Sequence, residues 1–240
     1  MMIILGLFLL VMMLLGILSL LFFNQYIQVF GPVKNDINTS KKIVAFSFDD
    51  GPNEPYTSEI INLLNKYNAK ATFFIVGENA LKSPYTIELI NKNNHEIGCH
   101  GYSHKFSKYL FEPSLEKELI DCKKLLKSLG TKNIKLVRTP WIMKNPFVFK
   151  GIRNAGFSFI TGGRYSSLLE PVGASAQNIV KSLAKRVKPG DIIIFHDGKE
   201  NVGGDRSQTV EAVNMMLGYL YDRDYKVVTV SKLLEIEKIT

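Results

Sequence analysis

Two adjacent carboxylates close an apolar run in Ser47-Phe48-Asp49-Asp50-Gly51, and two histidines stand four residues apart in His100-Gly101-Tyr102-Ser103-His104. One carboxylate and two neutral imidazoles make a ligand set for a divalent ion that keeps positions open for water and substrate. Side chains at successive positions of a strand end point different ways, so one of Asp49 and Asp50 binds the ion and the other faces the substrate. A carboxylate left over beside a metal-bound water is the least apparatus that hydrolyses an amide or ester. Zinc is the default ion for such donors, and cobalt, nickel or iron suit the same ligand types. Of the four histidines in the chain, His100, His104 and His196 follow predicted strands, whereas His95 precedes one and reads as structural.

The elements that must position these groups alternate regularly. Strands are predicted over 43–48, 71–76, 96–99, 134–137, 157–161, 191–195 and 226–230. Helical patterns occupy 56–67, 86–93, 114–129, 147–155, 176–187 and 207–222, and Gly130 stands where a helix-ending glycine belongs. Several strands are apolar throughout, which argues for a parallel sheet buried on both faces. The expected fold is therefore α/β, a distorted (β/α) barrel of about seven parallel strands. In such a barrel the working residues lie at the C-terminal strand ends. Asp49-Asp50, His100 and His104, Arg138 to Trp141, and His196-Asp197 all fall at that end.

Ahead of the domain, residues 2–23 form an apolar run without a charge, long enough to span a bilayer. A cleavable signal would carry a basic start, a shorter apolar core and a small-residue cleavage site. None is present, so residues 1–23 read as a transmembrane anchor, 24–40 as a linker and 41–240 as the catalytic domain. Lys34, Lys41 and Lys42 after the run favour a cytoplasmic domain by the positive-inside tendency, but the substrate implied below places it on the extracytoplasmic side. The net charge of +8 reads as a lysine-rich solvated surface, or as attraction to an anionic envelope polymer or lipid surface. No nucleic-acid-binding module is recognisable. Two cysteines, Cys99 and Cys122, imply no disulfide framework and read as buried apolar residues. Nothing in the sequence fixes an oligomeric state.

Between Lys41 and Leu234 the chain resembles the polysaccharide deacetylases of carbohydrate esterase family 4, the NodB-homology domain. Ser47 to Pro52 is similar to the family's first motif, and Ala69-Lys70-Ala71-Thr72-Phe73-Phe74 to a run common in it. His100 to His104 resembles the second motif, Arg138-Thr139-Pro140-Trp141 the third, and Ile194-Phe195-His196-Asp197 the fifth. The resemblance implies Asp50, His100 and His104 as metal ligands, Asp49 as general base oriented by Arg138, and His196 as general acid. It places Ile194 against the acetyl methyl and a backbone N–H near Trp141 at the oxyanion. The implied activity is metal-dependent removal of N-acetyl groups from N-acetylglucosamine-type sugars of a cell-envelope or extracellular polysaccharide.

The fourth motif departs from the pattern. The family places there an aspartate that tunes the acid histidine, and a tryptophan. Here 159–167 contains no carboxylate, and Tyr165 stands in for the aromatic residue. Glu170 is the only carboxylate between Asp121 and Asp191; it takes the aspartate's place if its loop folds back, and without it the pH optimum shifts toward acid. Gly101 replaces a hydroxyl residue in the second motif. Two other functions fit the same residues: amide hydrolysis on a lipid-linked or small-molecule substrate, and a catalytically weakened protein that holds metal and binds.

Overall fold

The computed structural model describes residues 2–110, 112–165, 170, 173–200 and 203–237. Eight parallel strands form one curled sheet: β1 (Ile43–Asp49), β2 (Ala71–Ile75), β3 (Glu96–Cys99), β4 (Leu136–Val137), β5 (Phe159–Ile160), β6 (Arg164–Tyr165), β7 (Ile192–His196) and β8 (Lys226–Val228). Their order is β5-β4-β3-β2-β1-β7-β6, with β8 paired to the start of β1. The expected distorted barrel is present, with one strand more than the sequence indicated. That strand, β6, is two residues long and follows Gly162-Gly163, too short a segment to display a period.

Strand β1 is central and all seven of its residues are buried. Phe46, Phe48, Phe73 and Phe195 pack their rings around it, with centroids 5.0 to 5.8 Å apart. Burial on both faces explains why these strands read as continuous apolar runs instead of alternating ones. The helices α2 (Tyr56–Lys66), α3 (Gly77–Lys82), α4 (Pro84–Lys92), α5 (Glu112–Ser128), α6 (Pro146–Asn154), α7 (Ala176–Ala184), α8 (Ser207–Tyr221) and α9 (Val230–Glu237) occupy the connections or follow the last strand. The amphipathic α2 buries Ile60, Ile61 and Leu64, and α8 buries Ala212, Val213, Met216, Leu217 and Leu220. Cys99 and Cys122 are free and buried. His95 is buried against Phe73 and accepts the Ala71 N–H at 3.3 Å; burial, with Lys70 nearby, lowers its pKa to about 4.

The outermost strands, β5 and β6, are joined through 161–163 only, so the sheet nearly closes on itself. Residues ahead of β1 stitch this seam. Lys34 bridges Thr161 and Asp36 bridges Asp191. The buried Gln25 side chain donates to the Gly163 carbonyl at 2.6 Å and accepts its N–H at 2.7 Å. Val33 and Ile37 are buried with the domain core. Upstream of them α1 (Met2–Phe23) projects, with its side chains from Ile3 to Leu20 exposed and Leu21 to Phe23 half-buried. It is long and apolar enough to cross a membrane.

Candidate active site

The C-terminal ends of β1, β3, β4 and β7 converge on one cleft of about 870 Å³, lined by Asp49, Asp50, His100, His104, Ile194 and His196. Asp49 ends β1, in parallel register with His196 at the end of β7. Asp50 follows at φ 72°. This turn out of extended geometry lets two adjacent carboxylates reach the same cleft, since neighbours on a plain strand face opposite sides. The approach is close. A side chain on Gly51 would strike the Asp197 carboxylate at 2.1 Å, and one on Gly198 the Asp50 carbonyl at 2.2 Å. Only glycines let these two loops meet.

Asp50 Oδ1 lies 3.3 Å from His100 Nε2 and 3.2 Å from His104 Nε2, and all three residues are buried. The His100 Nδ1–H donates to the Arg138 carbonyl at 2.8 Å. A carbonyl only accepts, so Nδ1 carries a hydrogen and Nε2 is the ring nitrogen turned toward the Asp50 carboxylate. One carboxylate oxygen and two imidazole nitrogens gathered at one point are a donor set that fits a divalent ion. The other Asp50 oxygen accepts the Glu200 N–H at 3.1 Å. Burial alone would raise the Asp50 carboxyl, but the imidazoles of His100 and His104 outweigh it and hold the pKa well below the ordinary range.

The histidine loop is held from beneath by Glu118 of α5. Its carboxylate accepts the N–H groups of Tyr102 at 3.1 Å and Ser103 at 2.7 Å, and the Ser103 hydroxyl at 2.9 Å. Gly101 sits at φ 87°, and a side chain there would lie 1.7 Å from the Tyr109 hydroxyl. The second-motif departure thus has a local cause: Tyr109 fills the space of the missing side chain.

Arg138, wholly buried, donates from Nη1 to Asp49 Oδ1 at 2.6 Å and to the Ser47 hydroxyl at 3.0 Å. Its remaining donors reach the carbonyls of Thr161 and Gly162, and its guanidinium lies 4.2 Å from the centre of the Phe74 ring. Burial lowers its pKa, and the Asp49 carboxylate opposes that shift. Trp141, at φ 57°, places its ring 4.7 Å from that of His104, and Ile194 is buried in the cleft wall. The backbone of Tyr165 pairs with Ile194; its side chain lies outside the described residues.

Glu170 fills the fourth-motif gap. Its carboxylate accepts from His196 Nδ1 at 2.6 Å, from the His196 backbone N–H at 2.7 Å and from the Thr209 hydroxyl at 2.9 Å. Enclosure works against a charged imidazole, but Glu170 outweighs it, assisted by Asp50 and Asp49, and raises the His196 pKa to about 9. The condition set for an acid shift, that no carboxylate replaces the aspartate, is not met. The signal for Glu170 was elimination alone, since no motif marks it.

Fold and site together define the class: a parallel α/β barrel with a candidate divalent-metal centre at its strand ends. The family model described as Polysaccharide deacetylase matches residues 36–160. The chain belongs to the polysaccharide deacetylase family and is a hydrolase. A peptidoglycan-N-acetylglucosamine deacetylase of Bacillus cereus is 35% identical over 204 residues, covering 85% of this chain and 93% of its own. Among solved structures, a peptidoglycan N-acetylglucosamine deacetylase in complex with 4-naphthalen-1-yl-N-oxidanyl-benzamide superposes with a TM-score of 0.76 at 26% identity, covering 84% of this chain and 92% of that one. A family 4 acetyl xylan esterase from Clostridium thermocellum, in complex with a cobalt ion, gives a TM-score of 0.71 at 26% identity, covering 81% and 91%.

Proposed function

We propose that this protein is a metal-dependent N-deacetylase of N-acetylglucosamine-type envelope sugars, held at the membrane by α1 with its catalytic domain on the extracytoplasmic side. The observation that carries the reading is the pairing of two differently tuned groups across one cleft, Asp49 fixed by Arg138 and His196 charged by Glu170. A protein that only holds metal has no use for both. The curated relatives support the substrate class, since those named include deacetylases of peptidoglycan and of chitooligosaccharides.

Asp50, His100 and His104 would hold a divalent ion, zinc by default, which would supply an acidified water and polarise the acetamide carbonyl. Asp49 accepts the proton of the attacking water, and Arg138 holds its carboxylate in place through the Nη1 hydrogen bond. The oxygen adds to the acetyl carbon, and the developing oxyanion is met by a backbone N–H near Trp141. As the C–N bond breaks, His196 donates its Nε2 proton to the departing sugar nitrogen while Glu170 holds Nδ1. Acetate and a free amine leave, and the proton on Asp49 returns to the medium or to His196. Ile194 packs on the acetyl methyl, which limits the acyl group to a small one.

The test is acetate release by the full chain in detergent from N-acetylglucosamine oligomers and peptidoglycan, with Asp49→Asn as control. Release that disappears with chelator and in the variant is expected. Absence of release from every substrate, with metal bound, would overturn the reading.

A further inference from the structure

The last turn of α1 and the residues after it build one wall of the catalytic cleft. Ser19, Leu20, Phe23, Asn24, Gln25 and Tyr26 line the same cavity as the metal-ligand set. The attachment is firm. The Phe22 carbonyl accepts the Lys144 N–H at 2.8 Å, and the ammonium of the fully buried Lys144 donates to the carbonyls of Asn24 and Ile27. A run of ring contacts leads inward from the helix end: Phe23 to Phe106 at 6.4 Å, Phe106 to Trp141 at 5.5 Å, and Trp141 to His104 at 4.7 Å.

At about 1.5 Å per residue α1 is roughly 33 Å long, which matches a hydrocarbon core of about 30 Å. Phe23 then stands at the hydrocarbon boundary, and Ser19 about 6 Å below it. A cleft walled by residues from Ser19 to Tyr26 straddles that boundary and opens on its headgroup side. Its rim is suited to the place. Tyr26, Phe106 and Trp141 line the cleft and remain 63%, 47% and 41% exposed, and the amphipathic rings of tyrosine and tryptophan settle at the level of lipid headgroups. Lys105 and Lys108 flank Phe106 and are exposed, so the rim offers cations to anionic headgroups or phosphates.

We infer that the mouth of the active site is seated on the bilayer surface and takes its acetylated sugar from a saccharide carried on a membrane lipid. This inference rests on the deacetylase and anchor reading above. A sugar joined through phosphate to a lipid presents its first residues at headgroup depth, where the cleft opens. A finished polymer strand lies farther out and reaches the cleft only by descending to the membrane.

Trp141 is the single tryptophan of the chain, so its fluorescence reports the position of the rim. The full chain is reconstituted in phosphatidylcholine vesicles whose acyl chains carry bromine near the headgroup. Quenching by the bromolipid, with protection from aqueous iodide, is expected. Emission open to iodide and untouched by bromine would overturn the membrane seat, whatever the catalytic outcome. In the same vesicles, acetate release from an N-acetylglucosamine disaccharide linked through pyrophosphate to a polyprenol is compared with release from the disaccharide freed of lipid. A preference of about 10²-fold or more for the lipid-carried form is expected from sharing one membrane. Equal rates would overturn the substrate assignment. Quenched Trp141 with no acetate from any substrate would support the seat and count against the deacetylase reading instead.

Discussion

The two sides of the cleft are positioned by different physical means. On the metal side, geometry comes from unusual backbone. Among the described residues eight non-glycines have positive φ, and five of them (Asp50, His104, Trp141, Ile142 and Glu200) line the cleft. The other three are Asn68, Asn94 and Asp224, residue types that adopt this conformation readily in turns. A β-branched residue such as Ile142 does not, and strain of this sort persists only where the surroundings over-determine it. On the acid side, His196 ends an ordinary strand and its properties come from charge, through the buried Glu170 carboxylate. The metal side should therefore respond to changes of shape, and the acid side to isosteric changes of charge.

The largest effect is expected from removing a metal ligand. His104→Ala should bring activity to background, with metal content falling in parallel when measured by elemental analysis; chelation of the unaltered protein should do the same reversibly. Asp49→Asn changes charge while leaving the ligands in place. Its rate should fall by about 10² to 10⁴-fold with metal retained, and loss of metal in this variant would mean that the two carboxylates share one role.

Glu170→Gln separates the two sides most sharply. Catalysis needs His196 protonated, so activity in the unaltered protein should fall as pH rises through about 9. Without the Glu170 charge the His196 pKa should fall toward its ordinary value of 6.5, since Glu170 is the strongest of the groups that raise it and Asp50 and Asp49 remain. At about pH 8 the protonated fraction then falls by up to about 30-fold, while near pH 6 it changes little. A uniform loss at all pH values would show Glu170 to be merely structural. The smallest effect belongs to Gly101→Ser, which restores the family's hydroxyl but collides with Tyr109. A destabilisation of about 1–3 kcal/mol is expected by denaturant titration, with partial recovery on adding Tyr109→Phe.

Most of the architecture was legible in the sequence because it rests on burial. The seven predicted strands coincide with β1 to β5, β7 and β8 to within two residues at most ends, since apolar runs bounded by glycine, proline and polar residues mark them. What escaped is short or non-local. Strand β6 has two residues, α3 has six, and neither completes enough of a period to be seen. The α9 helix begins at Val230, where a strand was read instead. Asp50, His100 and His104 were visible because chemistry demands those types at fixed spacing. Glu170 was legible by elimination alone, as the one carboxylate between Asp121 and Asp191, since it meets His196 from 26 residues away and no motif marks it. The wall contributed by Phe23 to Tyr26 was hidden for the opposite reason, as an apolar run followed by polar residues resembles a tether.

The paired hydrogen bonds between Gln25 and Gly163 bear on how the catalytic unit is bounded. An amide side chain that satisfies both backbone groups of one residue acts as a borrowed strand at the edge of the sheet, on the stretch where Arg138 also finds its carbonyl partners. A water-soluble fragment therefore has a narrow place to begin, after Phe23 and before Gln25. Begun at Lys41, it would leave the backbone of Gly163 bare at the seam and let the Thr161–Gly162 support of Arg138 drift, and the base would lose its alignment though every motif residue were still present.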